Sequence, residues 1–308
     1  MSGDSTEPEL SVVVSVAGGR DSLLRCLEGL AAQEDAPSFE IVLPYDDSIA
    51  DVADAAAGFA RVRLVPMGHC ATARPPRTPT GQHELIDRRR SAGLAAARAA
   101  LVALLEDRVV PHPDWARNMV EAARAGAGVV GGAVQCTAAS PLARAICLCD
   151  YSRYQPPFEG GRRAYVTDVN VCYSRELLEG TRDAWEERYH ETTLHWALER
   201  KGATLWLDPR PVVDHHGEGK PLRAVLRERL EFGRLFASTR ARESSVARRA
   251  VLAALAPLLP AVLFARLVRQ AARRRSLREL AGAAPFVGTL LVAWSAGEMM
   301  GYITGRQG

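Results

Sequence analysis

The sequence lacks several patterns that would assign a chain of 308 residues to a particular class of protein. Its N-terminus, MSGDSTEPEL, has neither a basic segment nor an apolar run, so we expect no conventional secretory signal. VAGGRDS has two adjacent glycines but not the G-x-G-x-x-G spacing of dinucleotide-binding oxidoreductases. There is also no internal repeat. These absences argue against secreted, dinucleotide-dependent and repeat proteins.

The cysteines do not show the spacing of a zinc site. Six cysteines are spread over the chain, and Cys147-Leu148-Cys149 is the one close pair. No second pair or histidine cluster completes a zinc pattern. We therefore expect all six to be buried, reduced thiols of a cytosolic protein.

The charge is small in total but unevenly distributed. The formal net charge is +3, yet residues 220–280 contain 15 Lys and Arg against 4 Asp and Glu. The chain therefore has an acidic front, which is its N-terminal part, and a basic rear, which is its C-terminal part. This difference predicts two surfaces with different partners. Nucleic acid is not expected among these partners, because the arginines of the rear are interleaved with long apolar runs.

Apolar, β-branched runs alternate with amphipathic segments through the first two thirds of the chain. This alternation predicts an α/β fold with a mostly parallel sheet and helices on both faces. The first four strands are predicted at Leu10–Gly18, Phe39–Asp47, Arg61–Met67 and Leu101–Arg108, and a mobile loop is predicted at Gly68–Leu85. The acidic pairs Asp46-Asp47 and Glu106-Asp107 both end strands, at the edge where such sheets bind ligands.

Four blocks of the sequence resemble, in order and spacing, the signature of family 2 glycosyltransferases. They are SVVVSVAGGRDSLLRCLEGLAAQ, EIVLPYDDSIAD, SAGLAAARAALVALLEDRVVPHPDW and HETTLHWALERKG. The resemblance runs from Leu10 to Arg242 and implies a GT-A fold, which is Rossmann-like, in residues 1–220. Residues 221–308 are then a C-terminal helical, membrane-interacting region. The resemblance also implies a nucleotide-sugar donor and a glycan or lipid-linked acceptor.

The resemblance assigns the donor site to two of these blocks. Asp46 and Asp47 match carboxylates that hydrogen-bond the base and ribose of the donor. SAGLAAARAA is predicted to start a helix of small residues, with Gly93 near its N-terminus and Arg98 about a turn later. Both residues match a block that lies against the diphosphate, where a guanidinium pairs with a phosphate. The residues themselves also allow simpler readings, namely a helix cap at Asp47-Ser48 and close packing of an alanine-rich helix at Gly93.

Glu106-Asp107-Arg108 stands where the family has Asp-x-Asp, which binds a divalent cation (Mg²⁺ or Mn²⁺) that bridges the donor phosphates. Carboxylate oxygens suit such cations, but Arg108 replaces the last acid. Two expectations remain open for these three donor-binding residues. Either a metal binds through Asp107 with help from His215 or His216, or Arg108 neutralises the phosphates itself.

The resemblance further implies a base that deprotonates the acceptor hydroxyl during inverting transfer. Glu191 matches that position, and His190 replaces the usual preceding acid. A glutamate favoured by the helix dipole is the alternative reading, and Glu187 is a rival base. Asp168 and Asn170, on one face of a predicted strand, match the acceptor side.

The rear of the chain contains two apolar runs, Ala250–Ala265 and Gly282–Gly297. Each has about 16 residues, fewer than the ~20 that span a bilayer. The basic segment RLVRQAARRRSLRE lies between them, and two spanning helices would put it opposite the catalytic domain. We therefore expect a hairpin in the membrane interface with arginines at anionic headgroups. A buried helical pair and a dimer contact are the alternatives.

The sequence thus predicts a peripheral or monotopic enzyme on the cytoplasmic face of the cell membrane, active in cell-envelope polysaccharide biosynthesis. It is expected to be an inverting glycosyltransferase that moves a sugar from a nucleotide-diphosphate donor to a lipid-linked or cell-surface glycan acceptor. The alternative is a degenerate, non-catalytic protein that binds nucleotide sugar or scaffolds a membrane complex. Arg108, His190 and Ala99 depart from the family pattern and motivate that alternative.

Overall fold

The computed structural model of the protein describes residues 7–126, 128–217, 219–242 and 244–305. Within these ranges the chain forms nine strands: β1 (Leu10–Ser15), β2 (Phe39–Tyr45), β3 (Val62–Pro66), β4 (Leu101–Glu106), β5 (Val109–Pro111), β6 (Val129–Cys136), β7 (Gly161–Arg162), β8 (Asn170–Ser174) and β9 (Leu205–His215). The α-helices are α1 (Arg20–Ala31), α2 (Val52–Ala56), α3 (Pro79–Ala96), α4 (Trp115–Arg124), α5 (Pro141–Tyr151), α6 (Arg175–Gly180), α7 (Glu191–Arg200), α8 (Leu222–Arg242), α9 (Val246–Leu255), α10 (Leu259–Arg273) and α11 (Leu277–Thr304).

The strands form one mixed sheet in the order β3-β2-β1-β4-β8-β6-β9-β5, with β7 paired to β9. The predicted parallel arrangement is confirmed for β1 to β4, which are joined in parallel register. It is wrong for the other half, where β8 is antiparallel to β4 and to β6, and β5 and β7 are antiparallel to β9. All six residues of β1 are buried, as expected of a central strand covered on both faces.

The chain divides into two compact units. Unit 1 comprises residues 1–73, 83–135 and 154–216, and unit 2 comprises residues 74–82, 136–153 and 217–308. The sequence did not indicate that 74–82 and 136–153 group with the C-terminal region. A division into functional domains at residue 220 stays a prediction.

The predicted loop at Gly68–Leu85 is shorter in the structure, because α3 already begins at Pro79. The Thr78 hydroxyl accepts a hydrogen bond from the Gly81 amide at 3.1 Å and so satisfies one of the free N–H groups at the helix start. Proline is well suited to the first helical position, since it has no N–H to satisfy. The early start moves every later residue of α3 further from the helix N-terminus.

The expectation of six reduced thiols is wrong for two of them. Cys136, at the end of β6, is joined to Cys147 of α5 by a disulfide, with a Cα–Cα distance of 6.2 Å. Their 11-residue separation in the sequence gave no pairing signal. The remaining four cysteines are free, and Cys26 and Cys172 among them are buried.

Two helical segments of unit 2 are long and apolar enough to cross a membrane by length and composition, namely residues 246–273 and 277–304. The apolar runs of the sequence are therefore the centres of longer helices. The two segments differ in burial, since 17% of the apolar window of the first and 39% of that of the second are buried. The first segment is thus the more open to a partner.

Glycines allow α11 to pack closely against α8. A Cβ atom on Gly297 would lie 2.1 Å from the carbonyl oxygen of Leu230, and one on Gly301 would lie 2.5 Å from that of Arg234. In the other direction, a Cβ on Gly233 would lie 2.3 Å from the carbonyl oxygen of Trp294. The backbones of the two helices are therefore in contact with little side chain between them.

Gly297→Ala should destabilise the protein by about 1–3 kcal/mol, because its methyl group meets the α8 backbone. Gly288→Ala in the same helix is the matched control, since nothing lies within 4 Å of its Cβ position. Alanine is the better helix former there and should stabilise by up to ~1 kcal/mol. Thermal unfolding of both variants checks this. If both midpoints shifted in the same direction, the close contact of Gly297 with α8 would not explain the loss of stability.

Candidate active site

The carboxyl ends of β1, β2 and β4 meet at one edge of unit 1. Ser15 of β1 is in register with Glu106 of β4, and the Asp107 amide donates to the Ser15 carbonyl at 3.0 Å. Asp46 follows the last residue of β2. Both acidic pairs therefore lie at the edge of the sheet where the sequence predicts them.

Asp46 is buried and ion-paired with an arginine of α3. The Arg89 Nε donates to the Asp46 carboxylate at 2.7 Å, and its Nη1 donates to the Val16 carbonyl at 2.8 Å. The Asp46 carboxylate also accepts the Ser48 amide at 2.8 Å, so the helix cap is made by Asp46 and not by Asp47. Burial raises the pKa of Asp46, but Arg89 and Ser48 outweigh it and hold the pKa below its ordinary value. Asp47 is the exposed member of the pair.

Asp107 is turned inward, toward the loop after β1. One carboxylate oxygen accepts from the amides of Ala17 at 2.8 Å and Gly18 at 2.9 Å, and the other accepts from Gly18 at 3.0 Å. Burial and the neighbouring Glu106 charge raise the pKa of Asp107 to about 7, although the two amides act against this. Asp107 thus fixes the loop that connects β1 and α1.

Glu106 lies between two guanidinium groups. The Arg108 Nη1 is 3.1 Å from one carboxylate oxygen, and the Arg90 Nη2 is 3.4 Å from the other. Burial raises the pKa of Glu106, yet these two arginines hold it below its ordinary value. Glu106 is therefore an ionised carboxylate whose charge is already balanced.

Arg90 of α3 connects Glu106 to Asp168, a residue predicted for the acceptor side. Its Nη1 lies 2.7 Å from the carboxylate of Asp168 and 3.6 Å from that of Asp87. Its guanidinium also lies 5.5 Å from the centre of the Tyr189 ring, within cation–π distance. One buried cation thus neutralises carboxylates from α3, from the end of β4 and from the turn before β8.

Glu191 is the first residue of α7, and the helix cap is made by its neighbour. The His190 Nδ1 accepts from the Thr193 amide at 3.4 Å, so Glu191 is not needed as a cap. Burial raises the pKa values of Tyr173 and Tyr189, and the charges of Asp168 and Glu191 both raise them further. Glu191 and Asp168 therefore lie within electrostatic reach of the same two phenols.

Gly93 and Arg98 are not brought to these carboxylates. Gly93 is in the last turn of α3, not the first, and a Cβ there would lie 2.2 Å from Cγ1 of Val13. Arg98 follows the helix and is exposed, with its amide bonded at 3.0 Å to side chains of Ser11 and Glu40. Those residues begin β1 and β2, so Arg98 lies at the opposite edge of the sheet. The predicted helix start is wrong, and Gly93 has the packing role.

Asn170 is fully buried in the sheet, which corrects its predicted position on an acceptor-facing surface. Its amide nitrogen donates to the carbonyls of Ala133 at 2.9 Å and Pro211 at 3.0 Å, and its oxygen accepts from the Trp115 indole at 2.9 Å. The side chain thus joins neighbouring strands and α4. Asp168, two residues earlier, is the one that reaches the site.

The two histidines named as metal ligands lie beside the segment after β4, since His215 is paired with Val109. His215 contributes to lowering the pKa of Glu106, whereas the hydrogen bond of His216 to this segment is a backbone one, from its amide to the Arg108 carbonyl at 3.1 Å. In the ranges that the structure describes, no group of three or more His, Cys, Asp or Glu could hold a metal ion. Mg²⁺ or Mn²⁺ dependence remains an untested expectation.

Arg89 and Arg90 are the site residues that the sequence did not reveal. They belong to the run Asp87-Arg88-Arg89-Arg90, and three consecutive arginines normally indicate a solvated helix face. Two of them are buried instead, because α3 passes beside the acidic strand ends. The available signal was the surplus of carboxylates at that edge, which buried arginines have to balance.

Asp107→Asn should change how stability depends on pH. Because the pKa of Asp107 is about 7 in the folded state and near 3.8 in a free side chain, wild type loses stability as pH rises through this range. Asparagine does not titrate, so the variant should gain stability relative to wild type up to about pH 7 and keep that difference above it. Urea unfolding across this range checks the prediction. If the free energy of unfolding of the two proteins changed with pH in the same way, the prediction would be contradicted.

A family model described as glycosyltransferase like family 2 matches residues 8–191, more than half of the chain. The match contains both acidic strand ends, the two buried arginines and, as its last residue, Glu191. A search among curated proteins gives no match. The resemblance found in the sequence is thereby confirmed. The chain belongs to glycosyltransferase like family 2, and it is a glycosyltransferase with a mixed α/β, GT-A-like sheet.

Proposed function

We propose that the protein is an inverting glycosyltransferase that uses a nucleotide-diphosphate sugar as donor and a lipid-linked or cell-surface glycan as acceptor. The observation that carries this proposal is the position of Arg90, which joins the donor-side acid Glu106 to the acceptor-side acid Asp168. Donor and acceptor groups that react must lie about 3–3.5 Å apart. Because both acids contact one cation, groups bound beside Glu106 and beside Asp168 would be neighbours.

In this reaction Glu191 accepts the proton of the acceptor hydroxyl, whose oxygen attacks the anomeric carbon. The bond from that carbon to the diphosphate breaks, and the nucleoside diphosphate leaves with the electron pair. Asp46 and Asp47 bind the nucleoside, and Asp168 orients the acceptor. In-line attack on the face opposite the leaving group inverts the anomeric configuration.

The direct test is the release of nucleoside diphosphate from UDP-, GDP- and dTDP-sugars by the purified full chain. Turnover of one donor, raised by an added lipid-linked or glycan acceptor, supports the proposal. Saturable binding without turnover of any donor would instead favour the non-catalytic alternative. That alternative is motivated by Arg108, which stands where the family has an acid.

We further propose that unit 2 binds the anionic, cytoplasmic surface of the cell membrane through α9 and α10. The apolar side chains of Val251, Leu255, Leu258 and Val262 are more than half exposed. Arg248 lies before this charge-free stretch, and Arg266 and Arg269 follow it. An apolar face bordered by arginines fits an interface with anionic headgroups.

The packing of α11 favours binding at the interface over spanning. Its last part is in backbone contact with α8, which carries ion pairs such as Arg227–Glu231, 2.8 Å apart. Charged side chains along such a neighbour are costly in the hydrocarbon core. This leaves α9 and α10 as the surface that enters the headgroup region.

The double variant Leu255→Glu, Leu258→Glu should bind liposomes more weakly by roughly 100-fold, because each exposed leucine contributes about 1.5–3 kcal/mol when it is buried. Flotation with phosphatidylcholine liposomes, with and without phosphatidylglycerol, measures this. Leu64→Glu, an exposed leucine of unit 1, is the matched control and should bind like wild type. Equal flotation of all three proteins would show that α9 and α10 are not the membrane-binding surface.

A further inference from the structure

The segment after β4 does not have the geometry of a divalent-cation site. A hard cation needs carboxylate oxygens directed at it and not yet neutralised. Both oxygens of Asp107 accept hydrogen bonds from backbone amides of the β1–α1 loop, on the inner side of the site. Glu106, the second acid, is held between two guanidinium groups.

The charge that a metal would supply is already present as arginine. A dication beside Glu106 would lie next to the Arg108 Nη1, 3.1 Å from that carboxylate, and the Arg90 Nη2, 3.4 Å from it. Repulsion between like charges is strong at these separations in a partly buried site. A metal here would compete with both guanidinium groups for the Glu106 carboxylate.

Arg108 is the guanidinium that reaches solvent. Its side chain is 21% exposed, against 3% for Arg90. Its Nη2 donates to the Ala17 carbonyl at 3.0 Å, which fixes the guanidinium beside the β1–α1 loop. A Cβ at Gly18 would lie 2.7 Å from Oγ of Ser22 and 3.0 Å from Cγ of Arg108, so the glycine leaves room for both side chains. The loop backbone therefore lies directly beside this arginine.

We propose that Arg108 binds the diphosphate of the donor directly and that donor binding and transfer need no divalent cation. A guanidinium presents paired N–H donors that match two phosphate oxygens, and its charge stabilises the diphosphate as the bond to the sugar breaks. Glu106 and the Ala17 carbonyl orient Arg108 for this contact. The inference rests on the proposed use of a nucleotide-diphosphate donor.

Calorimetric titration of the full chain with UDP, GDP and dTDP, in EDTA and in Mn²⁺, tests the proposal. The expected result is one nucleotide that binds with the same affinity in both buffers. Binding that appears only with Mn²⁺ would overturn metal independence and leave the glycosyltransferase proposal intact. Failure of all three nucleotides to bind in either buffer would instead overturn the proposed donor class, and this inference with it.

Variants at Arg108 separate its charge from its shape. Arg108→Lys keeps the charge but loses the paired donors, and should weaken nucleotide binding in EDTA by about 10-fold. Arg108→Asp restores a third acid, so binding should be lost in EDTA and recovered with Mn²⁺. Arg98→Ala, at the opposite edge of the sheet, is the matched control and should bind like wild type.

Mn²⁺ binding without nucleotide gives a second readout that does not depend on activity. The electron paramagnetic resonance signal of free Mn²⁺ should be unchanged by wild-type protein and reduced by Arg108→Asp. Thermal midpoints of both proteins establish that the variant is folded before the comparison is made. Reduction of the signal by wild type, or nucleotide binding by Arg108→Asp that persists in EDTA, would overturn the proposal.

Discussion

Glu191→Gln should reduce glycosyl transfer by about 100-fold to 10,000-fold, the usual contribution of a positioned general base. Glutamine has nearly the same shape but cannot accept the proton of the acceptor hydroxyl. Because His190 and not Glu191 caps α7, the substitution leaves the helix start intact. Single-turnover assays with saturating donor measure the chemical step. The affinity for the nucleoside diphosphate should be unchanged.

The control for this prediction is Glu187→Gln, four residues earlier. Glu187 is the rival base in the sequence, and it is exposed in the structure. If Glu187→Gln loses transfer and Glu191→Gln does not, the assignment of the base is wrong.

Asp168→Asn should raise KM for the acceptor more than it lowers kcat, since Asp168 is proposed to orient the acceptor and Glu191 to take its proton.

Strands β1, β2 and β4 were predictable because their sequences consist mostly of buried residues. LSVVVS, for example, has no plausible exposed face, and all six of its residues are buried. The ends of such strands are also predictable, which is why Asp46 and Glu106 lie where the sequence puts them. Strands β5 and β7 are different, since they have only three and two residues. Segments this short acquire strand structure from their neighbours and carry little periodicity of their own.

The errors in the site come from two kinds of missing information. Arg98 was misplaced because the start of α3 was set too late, so a residue beyond the end of the helix was taken for one near its beginning. Asn170 was misplaced because alternation along a strand separates two faces but does not say which face meets the ligand. Trp115, whose indole donates to the Asn170 side chain, is fully buried in the core.

The buried arginines show a further limit. A run of three arginines has the same local pattern whether it faces water or a cluster of acids. What decides between the two is the charge of the strands beside the helix, and this depends on the tertiary arrangement. Arg89 and Arg90 meet Asp46, Glu106 and Asp168, which come from three distant parts of the chain.

Arg90→Met should lower the free energy of unfolding by about 3–5 kcal/mol, the usual cost of removing one partner from a buried ion pair. Methionine retains much of the apolar stem but leaves the charges of Glu106, Asp87 and Asp168 without their shared cation. Arg90 lowers the pKa values of Glu106 and Asp87, so both should rise in the variant, which should lose further stability relative to wild type as pH increases. Urea unfolding at about pH 5 and about pH 8 measures both effects.

The matched control for this variant is Arg182→Met, which removes an exposed ion pair. The Arg182 Nε lies 2.9 Å from the Glu186 carboxylate, and both side chains are about half exposed. Water and salt screen such a pair, so this variant should unfold close to the wild-type urea concentration at either pH. Equal destabilisation by the two substitutions would show that the loss reflects arginine removal in general. A large, pH-dependent loss confined to Arg90→Met is the result expected if one buried cation holds the donor-side and acceptor-side acids together.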